Sequence, residues 1–204
     1  MKAIYLNTSL KTSDEESNTS ALIGKSRDWL EKEGIETEEL RITDYHISFG
    51  MKPDMGDGDE WPIILKKVSE ADIIVIGTPI WIGEKSSVST LVMERLYASS
   101  AETNEHGQSI YYNKAGGAIV TGNEDGAKES AKSIIYGLQH IGFTIPPNVD
   151  AYWVGEAGPG PSFIESGQDN NFTQHNTKTL SYNLIHFARL LKKHPIPAQG
   201  NLLG

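Results

Sequence analysis

The chain has no cysteine among its 204 residues. That absence rules out a disulfide framework, a thiolate zinc site, a cysteine-ligated iron–sulfur cluster and a cysteine nucleophile. Basic residues are also in short supply: 18 Lys and Arg against 27 Asp and Glu, for a formal net charge of −9. A polyanionic partner such as nucleic acid, or an anionic membrane surface, rewards cations and is therefore disfavoured. No apolar run approaches the length of a membrane span. Met1–Leu6 leads directly into a strand-like pattern, without a basic segment followed by a long apolar one, so the expected location is the cytoplasm. None of the six histidines stands in a His-Glu-x-x-His spacing, and no metal is expected. His186 falls beside the apolar stripe of the last helical pattern and is expected to be structural. Asp54, Asp57 and Asp59 miss the ligand positions of a calcium loop and are read as a solvated turn.

What is present is an ordinary globular composition, 38% hydrophobic and 22% charged, with enough length for one α/β domain and an extension. Short apolar runs alternate with helical patterns. Ala3–Leu6, Ile35–Ile42, Ile73–Ile76, Ala118–Val120 and a fifth region opening at Phe143–Ile145 and resuming at Ala151–Trp153 read as strands. The Ile73–Ile76 run is apolar at every position, as in a central parallel strand covered on both faces. Between the strands, Leu22/Ile23/Ser26/Trp29/Leu30, Ile64/Val68/Ala71, Val88/Leu91/Val92/Arg95 and Ala127/Ala131/Ile134/Ile135/Leu138/Ile141 each fall on one helical face. A last helix carries Leu180, Leu184, Phe187, Ala188 and Leu191, and Pro195 and Pro197 stop it. This order predicts a three-layer αβα sandwich around a five-stranded parallel sheet, with right-handed crossovers. A Gly/Pro-rich stretch at 155–161 reads as a rigid lid or a subunit contact.

In open α/β sheets ligands sit beyond the carboxyl ends of the strands, where the strand order reverses. Three loops at that edge stand out. After the first strand come Ser9, Lys11 and then Ser17-Asn18-Thr19 at a helix start, hydroxyls and backbone N–H groups suited either to an anion or simply to capping the helix. After the third comes Gly77-Thr78-Pro79-Ile80-Trp81-Ile82-Gly83, whose Trp81 offers a flat apolar face to a planar ligand or else covers the sheet edge. After the fourth comes Thr121-Gly122-Asn123-Glu124-Asp125-Gly126, read as an amide-lined ligand edge or a plain turn. There is no Gly-x-Gly-x-x-Gly and no Gly-Lys-Ser/Thr in the first loop, which excludes a dinucleotide fingerprint and a nucleoside-triphosphate loop. An anion site, a stacking wall and an amide edge on one side of one sheet together match the needs of a flavin mononucleotide.

Those three loops resemble the flavodoxin-like NAD(P)H-dependent FMN reductase and quinone reductase family. The resemblance covers residues 1–153 at the level of fold, and Ala151–Ser162 is similar to one subgroup of it. It implies a flavodoxin-like sheet of order 2-1-3-4-5 with a C-terminal extension over 154–204, the whole chain forming a single FMN-binding domain. It further implies that Ser9, Lys11, Ser17, Asn18 and Thr19 surround the FMN phosphate. Pro79, Ile80, Trp81 and Gly83 would line the isoalloxazine, and Thr121, Gly122, Asn123 and Gly126 would close its other side. The first loop departs from the family pattern, being longer and more acidic (Asp14-Glu15-Glu16). The expected activity is hydride transfer from NADPH or NADH to bound FMN and on to a quinone, a free flavin or another small acceptor. The expected assembly is a homodimer or homotetramer. A flavodoxin-type electron carrier is the alternative.

Overall fold

The structure, a computed structural model, describes residues 1–203. It begins with strand β1 (Lys2–Asn7), helix α1 (Asn18–Lys32) and strand β2 (Glu36–Arg41), followed by a short 3-10 turn and helix α2 (Trp61–Glu70). Strand β3 (Ile73–Trp81) turns into the two-residue strand β4 (Glu84–Lys85), and helix α3 (Ser87–Ala98) follows. Strand β5 (Ala115–Asn123), helix α4 (Ala127–His140), strand β6 (Asp150–Gly155), a π-helical turn at Phe163–Gly167 and helix α5 (Asn171–Lys193) complete the chain.

The sheet order is β2-β1-β3-β5-β6, and these five strands are parallel. This is the expected 2-1-3-4-5 order, with the fourth and fifth parallel strands being β5 and β6. Alternation along the strands feeds two cores. Ile4, Leu6, Ile74, Ile76, Ala118 and Val120 point to the face covered by α2, α3 and α4. Ala3, Tyr5, Ile73, Val75, Ala115 and Ile119 point to the face covered by α1 and α5. On the second face a chain of buried hydroxyls joins three elements: Tyr5 Oη lies 2.9 Å from Ser26 Oγ, and Ser26 Oγ lies 2.8 Å from Ser181 Oγ. Burial pushes the Tyr5 phenol pKa well up, so it stays a neutral partner in that chain.

Three features depart from the sequence reading. The fifth strand does not open at Phe143: Thr144 makes only an isolated bridge to Ala115, and the continuous pairing starts at Asp150. Phe143 instead stacks on Tyr111, with ring centroids 4.9 Å apart, so its apolar character serves the helix-side core and not the sheet. His186 is exposed, its ring 6.0 Å from that of Tyr182. Asp59 does not sit in a solvated turn: its carboxylate is fully buried, 2.7 Å from the equally buried Arg95.

The β3–β4 hairpin was not foreseen. It closes over Ile82 and Gly83, with φ of 51° and 76° and Trp81 paired with Glu84, the geometry of a type I′ turn. Gly83 suits its position, but a β-branched residue in the left-handed region is strained. Ile82 also gains nothing from burial, being 99% exposed. Ile82→Asn is therefore expected to raise stability by about 1 kcal/mol, seen as a rise in Tm of about 2–4 °C in a thermal melt.

Candidate functional site

β1 pairs with β2 on one side and with β3 on the other, so the loops leaving β1 and β3 diverge and open a crevice between them. The exits of these strands are held rigidly. Thr8 donates both its N–H and its hydroxyl to the Gly77 carbonyl, each at 2.8 Å. Ser86, the N-cap of α3, donates its hydroxyl to the Thr8 carbonyl at 2.7 Å and its N–H to Thr78 Oγ1 at 3.0 Å. The floor of the crevice is thus cross-linked by hydrogen bonds before any ligand is considered.

Above that floor lies a cleft lined by fourteen residues. Eleven were expected from the sequence: Ser9, Lys11, Ser17, Asn18, Thr19, Pro79, Ile80, Trp81, Thr121, Gly122 and Asn123. Leu10, Trp153 and Ser162 complete it. Gly83 and Gly126 are not part of the lining. They pack on each other instead: a Cβ on Gly126 would sit 2.6 Å from Gly83 Cα. Their role is to let the β3–β4 hairpin and the β5–α4 loop approach backbone to backbone, which holds Trp81 and Asn123 in a common rim. Gly122 acts similarly within the lining, since a Cβ there would lie 2.6 Å from Ile80 Cβ.

At the α1 end, Ser17 is the N-cap, its Oγ accepting the Ser20 N–H at 3.2 Å. The capping reading of this segment is therefore realised, yet it does not exclude an anion. Helical geometry leaves the N–H groups of Asn18 and Thr19 without an intrahelical acceptor, and the Ser17 hydroxyl keeps its own proton to donate. Ser9 Oγ accepts the Lys11 N–H at 3.2 Å. Thr19 and Thr121 share a buried hydroxyl contact of 2.9 Å. Asn18 spends its Oδ1 on the Ile164 N–H at 2.9 Å, which ties the C-terminal segment to the start of α1.

The long first loop folds back on itself. Lys11 Nζ donates to the Glu16 carbonyl at 3.1 Å, and Arg41 Nη1 donates to the carbonyls of Lys11 and Thr12 at 3.0 and 2.8 Å. Asp14, Glu15 and Glu16 are exposed and do not line the cleft. The acidic departure from the family pattern consequently leaves the lining free of carboxylates, with Lys11 its one charged side chain.

At the other end Trp81 stands half exposed on the hairpin, while Trp153 is buried and meets Phe163 edge to face, with ring centroids 5.8 Å apart. Gly158 donates its N–H to the Glu124 carboxylate at 3.4 Å. Together with the Asn18–Ile164 bond, this stretches the 156–167 segment from the β5–α4 loop to the start of α1. Trp153 was identified only as a strand residue. Its place at the carboxyl end of the last parallel strand was the available signal. Ser162 carried a different one, a Ser-x-x-Glu capping box with Glu165, which marks a turn but not its nearness to the cleft. Leu10 carried none. Among the described residues no group of three His, Asp or Glu side chains is placed to hold a metal. No helix of the described residues is long and apolar enough to cross a membrane.

The profile of a family described as NADPH-dependent FMN reductase matches residues 1–157. A Mycobacterium bovis protein described as divalent metal cation transporter MntH is 45% identical over 94% of this chain, which spans only 29% of that protein's length. The 8-demethyl-8-aminoriboflavin-5'-phosphate synthase of Streptomyces davaonensis is 39% identical, over 96% of this chain and 80% of its own. Among solved structures, RosB with bound 8-demethyl-8-formylriboflavin-5'-phosphate superposes with a TM-score of 0.88 at 38% identity, covering 96% of this chain and 82% of that one. An archaeal flavodoxin, at 16% identity and a TM-score of 0.57, shares the fold.

Proposed function

We propose, from the premise that this chain belongs to the NADPH-dependent FMN reductase family, that the cleft holds FMN with its phosphate at the start of α1 and its ring along the β3–β4 hairpin. Family membership supports reading the protein as an FMN-dependent oxidoreductase with a reduced nicotinamide nucleotide as electron donor. The observation that carries the placement is the lining itself. In a chain of net charge −9 it contains one cation and no carboxylate, the donor set a dianionic phosphate requires.

On this reading the phosphate oxygens accept from the Ser9 and Ser17 hydroxyls, the Asn18 Nδ2 group, the N–H groups at Asn18 and Thr19, and Lys11. FMN held there would supply the two-electron redox chemistry. The protein's task is to bind, orient and exclude water. Trp81, Pro79 and Ile80 form the apolar wall for the ring, and the backbone of Thr121–Asn123 supplies the polar edge that favours the reduced ring's added charge. Gly83 and Gly126 serve by fixing the rim. The acceptor is a small molecule of the quinone or free-flavin class. We place the protein in the cytoplasm as a homo-oligomer, with residues 1–204 acting as one domain.

An anaerobic titration of the FMN-loaded protein with NADPH and with NADH tests this. Bleaching of the flavin absorbance at one equivalent of either donor is expected. Failure of both donors, with reduction only by a chemical reductant, would leave an electron carrier. A second reading has its own observation in its favour: the high similarity to RosB extends through the C-terminal segment that borders the cleft. There the bound flavin phosphate is itself what is transformed. Mass analysis of the flavin recovered after turnover separates the two, an unchanged FMN mass supporting the cofactor role.

A further inference from the structure

The chain has four arginines. Three of them meet a carboxylate: Arg27 lies 3.5 Å from Glu31 and 3.7 Å from Glu39, Arg95 lies 2.7 Å from Asp59, and Arg189 lies 3.0 Å from Glu33. Arg41 is the exception. It ends β2 and is only 9% exposed, yet among the described residues no carboxylate stands within ion-pair distance of it. Its Nη1 donates to the carbonyls of Lys11 and Thr12, and its Nε is buried without any partner. A charge buried without a counter-charge is costly, and an arginine, unlike a lysine, does not escape by losing its proton.

The carboxylates near it in the chain are committed elsewhere. Glu39 accepts from Asn7 Nδ2 and Ser20 Oγ at 2.7 and 2.8 Å, and Asp44 accepts the Ser13 N–H at 2.8 Å. Glu15 and Glu16 border the same surface trough as Arg41 and Ser17, but both are exposed and neither pairs with it.

We propose that the missing counter-charge is the phosphate of the ligand in the cleft, and that Arg41 makes the cleft select phosphorylated ligands over their unphosphorylated counterparts. The inference rests on the placement of FMN proposed above. Arg41 serves as a positioning residue that acts through the first loop. Lys11, the one charged side chain of the cleft, has its carbonyl held by Arg41 and by Thr43 Oγ1, the latter at 2.7 Å. Ser17, which caps α1, lines both the cleft and the trough that Arg41 borders. Arg41 therefore holds the residue that brings the cation and lies beside the residue that brings the helix start. Its charge also offsets Asp14, Glu15 and Glu16, which the same loop carries past the site. A partly buried charge is poorly screened, so a dianion is drawn to it without touching it.

Fluorescence titration of the full chain with FMN and with riboflavin, which lacks only the phosphate, tests this. Arg41→Gln keeps a donor for the loop carbonyls but removes the charge. It should lower FMN affinity about tenfold and leave riboflavin affinity unchanged. Arg41→Lys, which keeps the charge, should restore most of the preference for FMN. Replacing an unpaired buried charge by a neutral amide should not cost the fold, and far-ultraviolet circular dichroism checks that. A merely structural role would weaken both flavins alike. Equal losses for the two flavins, or an undiminished preference for FMN in Arg41→Gln, would overturn the inference. Failure of the wild type to bind FMN would sink the flavin reading instead. Thermal melts with inorganic phosphate then decide on Arg41 alone: millimolar phosphate should raise the Tm of the wild type and not that of Arg41→Gln. No rise in the wild type, or equal rises in both, would overturn the role given to Arg41.

Discussion

Asp59→Ala is expected to cost about 3–5 kcal/mol of folding stability, the loss typical of removing one partner of a buried ion pair. Both side chains of the Asp59–Arg95 pair are wholly buried, at 2.7 Å. Besides Arg95, the carboxylate accepts N–H groups from Ser48, Met55 and Trp61 at 3.2, 3.0 and 3.2 Å. It therefore organises the loop between β2 and α2 as well as neutralising the guanidinium. Arg95 has little in reserve, since its Nε and Nη1 lack hydrogen-bond partners. Its guanidinium packs 5.7 Å from the centre of the buried Trp61 ring, and without Asp59 it would be an uncompensated charge there. Urea denaturation at neutral pH measures the loss, and a change of under about 1 kcal/mol would show the pair to be energetically idle.

The same pair predicts an acid dependence. Burial raises the Asp59 carboxyl pKa, but the three N–H donors and Arg95 outweigh it, and the net shift is downward. A carboxylate with a depressed folded-state pKa contributes stability that is complete above its unfolded value of about 3.9. That contribution is lost as pH falls through the lower, folded value. The wild-type urea midpoint should accordingly fall more steeply in acid than that of Asp59→Ala.

The second large effect lies in the cleft. Trp81→Ala should weaken FMN binding by about 5- to 150-fold, the equivalent of about 1–3 kcal/mol for one stacked ring. Trp81 is half exposed on the hairpin and supports neither core. Stability should thus change by no more than about 0.5 kcal/mol, which separates loss of a ligand contact from loss of fold. Quenching of FMN fluorescence measures the affinity, and Trp81→Phe should recover most of it. An unaltered affinity and flavin spectrum in the alanine variant would remove Trp81 from the stacking wall.

The sequence already contained most of this architecture, for reasons of periodicity. Ile73–Ile76 has the unbroken apolar run of a doubly covered strand, and the stripe through Ala127, Ala131, Ile134 and Leu138 has the spacing of a helix with one buried face. The strand order came from the family resemblance, and the location of the crevice follows from that order in a parallel sheet. The cleft-lining residues were legible where they lie at or just beyond the carboxyl ends of strands, as with Ser9, Pro79–Trp81 and Thr121–Asn123. What stayed hidden depended on distant contacts. Nothing local in Ser162 or Leu10 says that they border a site. Gly83 and Gly126 looked like ligand-facing glycines, but Gly126 is small because the Gly83 backbone packs against it, and Gly83 holds the left-handed turn position at φ 76°. Asp59 read as one of three acidic residues in a polar stretch, because its partner lies 36 positions away on a helix. Asn18, grouped with the phosphate donors, has its carbonyl oxygen committed to a residue 146 positions downstream.

Those last separations bear on the order of events during synthesis. The hydroxyl chain from Tyr5 through Ser26 closes only on Ser181, 155 positions beyond Ser26. The Asn18 tether waits for Ile164 in the same way. Contacts this far apart form late, because loop closure must precede them. A nascent chain can pair β1, β2 and β3 while its C-terminal portion is still on the ribosome, but one wall of the crevice and the whole α5 layer are then missing. The crevice is in this sense among the last parts of the molecule to exist, and any ligand that it takes must be captured by the finished chain.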